Sequence, residues 1–230
     1  MYQPQYIQRT LIWASLLLIC CMFVCCEKND AELTAGPQRV ATIPANDTLR
    51  DIITENILLT NIHPWYIDGW VFVTNEAILE IEPGTEIIFL GNKSRHSGLV
   101  ITRGAKIEAI GEPASPIRFR PQISAGKPAG WMGVVLLGRA PQRRTFNVYE
   151  HPFLPEGIGL SYGGNLPEDN SGILRYVYID YIPVKNNEIP PGLLMLGTGS
   201  GTDVRDLRLR AGKAPEIYKQ WVRTSRISRE

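Results

Sequence analysis

Residues 76–89 read EAILEIEPGTEIIF, and the alternation in that stretch decides the fold. Between 71 and 89 the odd positions carry Val71, Val73, Ala77, Leu79, Ile81, Ile87 and Phe89. The even positions carry Thr74, Glu76, Glu80, Glu82 and Glu86. A period of two with one apolar side describes strands buried on one face. Pro83-Gly84 breaks the pattern as a corner, because proline removes a ladder donor and glycine accepts the bend. The stretches LVITRGAKIEA (99–109) and PIRF (116–119) then repeat it. Val73-Thr74 aligns with Ile101-Thr102, Ala77 with Ala105 and Glu80 with Glu108, each at an interval of 28, and Ile87-Phe89 aligns with Ile117-Phe119 at 30. In this register Ile101, Ala105, Ile107, Ile117 and Phe119 face inward, and Lys106, Glu108, Arg118 and Arg120 face outward.

A repeat of this length, with strand chemistry and recurring corners, predicts a solenoid whose turns stack. Each turn buries one side toward a shared interior and hydrogen-bonds to its neighbours at about 4.8 Å. A hairpin meander would need turn signals every 8–12 residues or so and would not hold the interval. The expected fold is therefore all-β, a parallel β-helix over residues 48–211. Strand signals begin near Thr48 with DIITENILLTNI and WYIDGWVFVTN, and return in GWMGVVLLG (130–138), SGILRYVYIDYI (171–182), GLLMLG (192–197) and DVRDLRLR (203–210). The near-continuous apolar run of GLLMLG is expected of a strand covered on both faces. Residues 139–170 are too long and too aperiodic for a simple connection and read as an excursion from the solenoid.

The ends of the chain are of a different kind. All four cysteines, Cys20, Cys21, Cys25 and Cys26, lie in or beside the apolar run LIWASLLLICCMFV, and none follows. That arrangement is neither a disulfide framework nor a zinc site. A run of fourteen residues behind Arg9, apolar but for Ser15, suits a leader and falls short of the roughly 20 that a membrane span needs. With the polar EKND after Cys26, the segment resembles a bacterial lipoprotein signal of the Bacteroidetes surface type, although Cys25 stands where Gly, Ala or Ser is usual. The resemblance implies a signal peptide over 1–25 and a lipid on Cys26, with 26–47 a flexible tether from an outer-membrane anchor. Residues 212–230 are read as a C-terminal cap or a truncated tail. Within them Ile217, Tyr218, Trp221 and Val222 fall at helical spacing, so 215–224 could form a short amphipathic capping helix.

The motifs GWVFVTNEAILEIEPGTEI, GWMGVVLLGRAP, YGGNLPEDNSGILRYVYIDY and GTGSGT occur in that order. Together they make the chain similar to Bacteroidetes-type right-handed parallel β-helix lipoproteins over roughly residues 55–205. The resemblance implies an envelope-anchored right-handed β-helix and no particular reaction. Where such proteins continue into an acidic stretch and further coils, this sequence has RAGKAPEIYKQWVRTSRISRE, so nothing residing in that acidic element is carried over.

Lys and Arg number 24 against 23 Asp and Glu, so overall charge points to no polyionic partner, and a nucleic-acid role is not expected. His63, His96 and His151 are too scattered for a metal or a triad, and no cofactor or catalytic residue is assigned. Glu168, Asp169 and Asp180 are the carboxylates that could approach one another as an acid pair, but PEDN is ordinary turn chemistry and Asp180 an outward strand residue. Tyr149, Phe153, Tyr162, Tyr176, Tyr178 and Tyr181 either form a sugar-stacking surface or pack the excursion onto the solenoid. Trp65, Trp70 and Trp131 are read as closing corners and the N-terminal end.

The leading expectation is a lipid-anchored structural or glycan-binding module, with Tyr162, Glu168 and Asp169 as candidate contacts. The alternatives are a polysaccharide lyase or hydrolase, and a truncated relative with little activity. Oligomeric state is left open.

Overall fold

The computed structural model describes residues 40–91, 96–124, 127–128, 131–142, 148–150, 154–181 and 192–211. Cys26, the leader 1–25, most of the tether, the cap 212–230 and His151 lie outside the described residues.

The described chain is a right-handed parallel β-helix whose coils present three faces. The first coil contributes β1 (Thr48–Leu49), β2 (Ile52–Ile53) and β3 (Ile57–Leu59), one strand to each face in turn. The second contributes β4 (Trp65–Asp68), β5 (Trp70–Val73) and β6 (Ile78–Ile81), and the third β7 (Glu86–Leu90), β8 (Ser97–Ile101) and β9 (Lys106–Ile110). The fourth begins with β10 (Ile117–Pro121), makes the small hairpin of β11 (Ile123–Ser124) and β12 (Lys127–Pro128), and returns to the second face as β13 (Trp131–Leu137). An excursion holding β14 (Val148–Tyr149) and β15 (Leu160–Ser161) follows. The chain then closes its coils with β16 (Gly172–Tyr181), β17 (Leu193–Leu196) and β18 (Asp203–Ala211).

Face one stacks β1, β4, β7, β10 and the later half of β16, and face two stacks β2, β5, β8, β13 and β17. Face three stacks β3, β6, β9 and the earlier half of β16. Because β16 turns the corner between them without a break, faces one and three join among the described residues into one nine-stranded sheet, with β18 paired to β16. That corner is a single residue, Tyr176, in the left-handed region at φ 50°, and Asp206 at φ 52° occupies the matching place in β18.

The predicted alternation holds. Val73 pairs with Ile101 and Glu80 with Glu108, as the 28-residue interval requires. Ile81 and Ile107 are buried, Glu80 is exposed and Glu108 is half-buried. The 30-residue alignment does not hold. Ile87 lies opposite Phe119, and Phe89 opposite Pro121, an interval of 32. A shift of two leaves the same side chains facing inward, so alternation alone cannot detect it.

The interior is built as ladders that run along the solenoid. Trp65, Ile87, Phe119 and Ile179 follow one another on face one, with Leu209 exposed beyond Ile179, and Leu59, Ile81, Ala109, Leu174 and Val204 follow one another on face three. These chains meet in one cluster, with Val71, Leu99 and Val134 of face two facing them. Trp65 is fully buried, and its indole Nε1 donates to the Thr60 carbonyl at 2.8 Å, which satisfies the ring's one polar atom.

Face two is apolar on its outer side as well. Val100, Val135, Leu137, Leu194 and Leu196 form a second cluster with Leu154 and Leu160 of the excursion, and Tyr149 and Tyr162 pack against it. The expectation for GLLMLG is met: Leu193 and Met195 pack on the interior, and Leu194 and Leu196 lie in the outer cluster. The excursion is pinned at its return, where the Gly163 N–H donates to the Gly138 carbonyl at 2.7 Å and the Leu166 N–H to that of Arg139 at 3.0 Å. Burial pushes the Tyr149 phenol up to about 12.

Two outcomes follow. Ile107→Asp sets an unpaired charge within the ladders and is expected to lower stability by about 3–5 kcal/mol in urea denaturation, while Glu80→Gln changes it by about 0.5 kcal/mol or less. Tyr149 is neutral when docked, and an undocked tyrosine ionises near about 10. Its contribution to docking is therefore complete below about pH 10 and lost as pH rises through about 12. A tyrosinate absorbance titration should show this late step, and Tyr149→Phe should remove it.

Candidate functional site

The strand β5 carries Trp70, Val71, Phe72 and Val73. Its odd members point into the core, so its even members, Trp70 and Phe72, must stand on the outside of face two. Their rings follow each other along the strand with centroids 6.5 Å apart and planes inclined by 27°, which makes a nearly continuous aromatic strip. The strip lies flat because the next coil offers no side chain beneath it. Gly98 is paired with Trp70, and a Cβ there would come within 2.4 Å of the indole.

This strip is part of the lining of an open cleft of about 1200 Å³ between the outer side of face two and the excursion. Leu154, Pro155, Ile158 and Leu160 supply the excursion wall. The polar lining comes from corners. Asp51 and His96 come from the turns between faces one and two, Asp68 from the end of β4, and Thr74, Thr102 and Arg103 from the turns between faces two and three. Arg139, Ser161 and Asn165 belong to the departing and returning limbs of the excursion. Several of these groups are held in place. Arg50 Nε reaches the Asp68 carboxylate at 2.9 Å, Arg139 Nη2 reaches Glu76 at 2.9 Å, and Arg103 Nη1 donates to the Gly163 carbonyl at 3.3 Å. The Thr102 hydroxyl donates to the Val73 carbonyl one coil back at 2.9 Å. An apolar aromatic floor with fixed donors and acceptors around it suits a ligand that has both flat C–H faces and hydroxyls.

The residues singled out from the sequence lie elsewhere. Tyr162 is half-buried against the outer cluster and does not line the cleft. Asp169 is buried, accepts from the Ser171 hydroxyl at 3.4 Å, and sits under the GTGSGT corner, where a Cβ on Gly199 would come within 2.3 Å of its backbone nitrogen. Glu168 beside it is exposed. Asp180 is at the far end of β16, beyond the Tyr176 corner, so the structure does not gather Glu168, Asp169 and Asp180 into an acid pair. Among the described residues no group of three or more His, Cys, Asp and Glu side chains is placed to hold a metal ion. His63 is exposed and rests on Trp65, with ring centroids 4.7 Å apart.

Trp70 corrects an expectation, since it closes no corner and lies on the floor of the cleft. The signal for it was present in the sequence. In GWVFVTN the outward positions hold Trp70, Phe72 and Thr74, where the neighbouring strands place Glu and Lys. Aromatic rings on the solvent side of a strand need either a cover or a ligand.

No curated protein and no solved structure matches the chain. The family described as pectate-lyase-like β-helix domain matches residues 51–215, a span that takes in the coils, the cleft and the excursion together. The stacked faces and this match agree, and the chain belongs to the pectate-lyase-like β-helix domain family.

Proposed function

We propose that the protein is a glycan-binding module of the bacterial cell envelope, tethered to the outer membrane by a lipid on Cys26. The observation that carries the binding reading is the Trp70–Phe72 strip on the floor of an open, polar-rimmed cleft. Sugar rings present flat C–H faces that stack on aromatics and edge hydroxyls that pair with side chains such as those of Asp51, Asp68, Arg103 and Asn165. Membership of a pectate-lyase-like domain family supports a polysaccharide as the ligand class. The cleft lies along the coils, and its walls come from separate corners, so it suits a chain rather than a single sugar.

A glycan-array screen with the detergent-solubilised protein, followed by calorimetry on the hits, tests this. Trp70→Ala should weaken binding at least about tenfold, while Tyr162→Ala and Glu168→Gln report whether the surface extends to the candidates read from the sequence. Glycan binding that survives Trp70→Ala and Phe72→Ala unchanged would remove the cleft as the site. The same family match favours cleavage as the second reading, with Asp51 and Asp68 at one end of the cleft as the acids to substitute. Release of new reducing ends from a bound glycan would establish it.

The anchor rests on the short apolar run and the polar turn after Cys26. Mass spectrometry of membrane-extracted protein should find an acylated cysteine at the mature N-terminus. Cys26→Ala should release the protein from the membrane fraction, and a variant that stays bound and processed as before would exclude lipidation there.

A further inference from the structure

The last described strand presents an open edge. Among the described residues β18 is paired on one side only, with β16, so the outer N–H and C=O groups of a nine-residue strand have no strand beside them. An edge of that length is a template for another strand. Its sequence, DVRDLR over 203–208, shows what fits it. The left-handed corner at Asp206 interrupts the alternation, so the exposed Arg205 and Asp206 stand side by side. Val204 and Leu207 turn to the core on either side of them, with Asp203 and Arg208 outward beyond.

The segment is complementary to itself reversed. Let a second copy run antiparallel along the edge, with a two-fold axis between Arg205 and Asp206. Arg205 then meets Asp206, Val204 meets Leu207 and Asp203 meets Arg208, each pair occurring twice. Every pair joins opposite charges or two inward apolar side chains, the favourable cross-strand combinations. A slip of one residue sets Arg205 against Arg205 in one direction and Val204 against Arg208 in the other. A straight strand could not pair this way, because residues 205 and 206 would point to opposite sides. The corner removes that conflict, and with the axis through it face three of each copy continues into face one of the other.

The charged groups are already set for the contact. The Arg208 guanidinium lies over the Tyr178 ring at 5.3 Å, and Arg118 lies over the same ring at 5.2 Å from the preceding strand of the ladder. Such stacking leaves the N–H edges of Arg208 free. Arg205 and Arg175 hold the Asp203 carboxyl below its ordinary range, at 2.7 and 2.8 Å, and a carboxylate has lone pairs for a further donor. The opposite end of the solenoid matches this edge poorly, since β1 has two residues and head-to-tail stacking would leave most of β18 uncovered.

We propose that the protein forms a closed two-fold dimer by antiparallel pairing of β18 with β18 of a second copy, last coil to last coil.

Sedimentation equilibrium of the detergent-solubilised full chain at micromolar concentration should show a dimer that grows no further. Arg205→Asp and Asp206→Arg each set like charges together twice and should raise the dissociation constant at least about tenfold. An equimolar mixture of these two variants recreates both pairs across one interface and should dimerise again, while Trp70→Ala should leave the dimer unchanged. Arg205 is exposed, so Arg205→Asp decides the matter even if Asp206→Arg fails to fold. Three results would overturn the proposal. They are a wild-type monomer, expected if residues 212–230 lie on the edge instead, a species of more than two copies, and a dimer that Arg205→Asp leaves intact.

Discussion

Each coil of this protein depends on the coil beside it for its backbone hydrogen bonds, and that dependence disciplines everything else. A strand such as β9 has no partner within its own coil. Its N–H and C=O groups are satisfied by β6 on one side and β16 on the other. The pairing fixes which side chains stack, so Ile107 must sit over Leu79, and Glu108 must sit beside Glu80 even though both are acidic. Like charges in register are unfavourable. They are tolerated because the alternative, a slip by one residue, would turn Leu79, Ile81 and Ile107 out to water.

The same constraint explains why face two has a second apolar layer. Insertion of a long excursion between β13 and β16 costs the stack nothing as long as both ends return to the ladder, which the bonds of Gly163 and Leu166 to Gly138 and Arg139 achieve. The loop then needs its own reason to stay in place. Leu154 and Leu160 supply it by packing on Val135, Leu137 and Leu194. Where this cover ends, toward the earlier coils, Trp70 and Phe72 continue the apolar surface into the cleft. The cleft is thus the uncovered part of a face that the excursion otherwise closes.

The architecture was legible in the sequence because its signal is local and repeated. Val73, Ala77 and Glu80 find Ile101, Ala105 and Glu108 at a constant interval, and strand alternation marks the inward side. The 32-residue offset of Ile87 and Phe119 was not legible, because a loop can absorb two extra residues without disturbing alternation. The candidate contacts Tyr162 and Asp169 rest on residue type within a long aperiodic stretch, and type does not report burial. Asp169 is enclosed by the backbone of Gly199, thirty residues on, a proximity that only the stacking of corners creates. The meeting of Arg118, Tyr178 and Arg208 has the same origin, since three widely separated residues become neighbours when their coils are stacked.

The unbroken passage of β16 and β18 through the Tyr176 and Asp206 corners has a mechanical meaning. In the earlier coils faces one and three are joined by loops such as 82–85 and 111–116, each of which can flex like a hinge. In the later coils the corner is one residue whose neighbours on both sides are bonded to adjacent strands, so that hinge is missing. A load that works faces one and three against each other is therefore taken up first at the corners of the early coils.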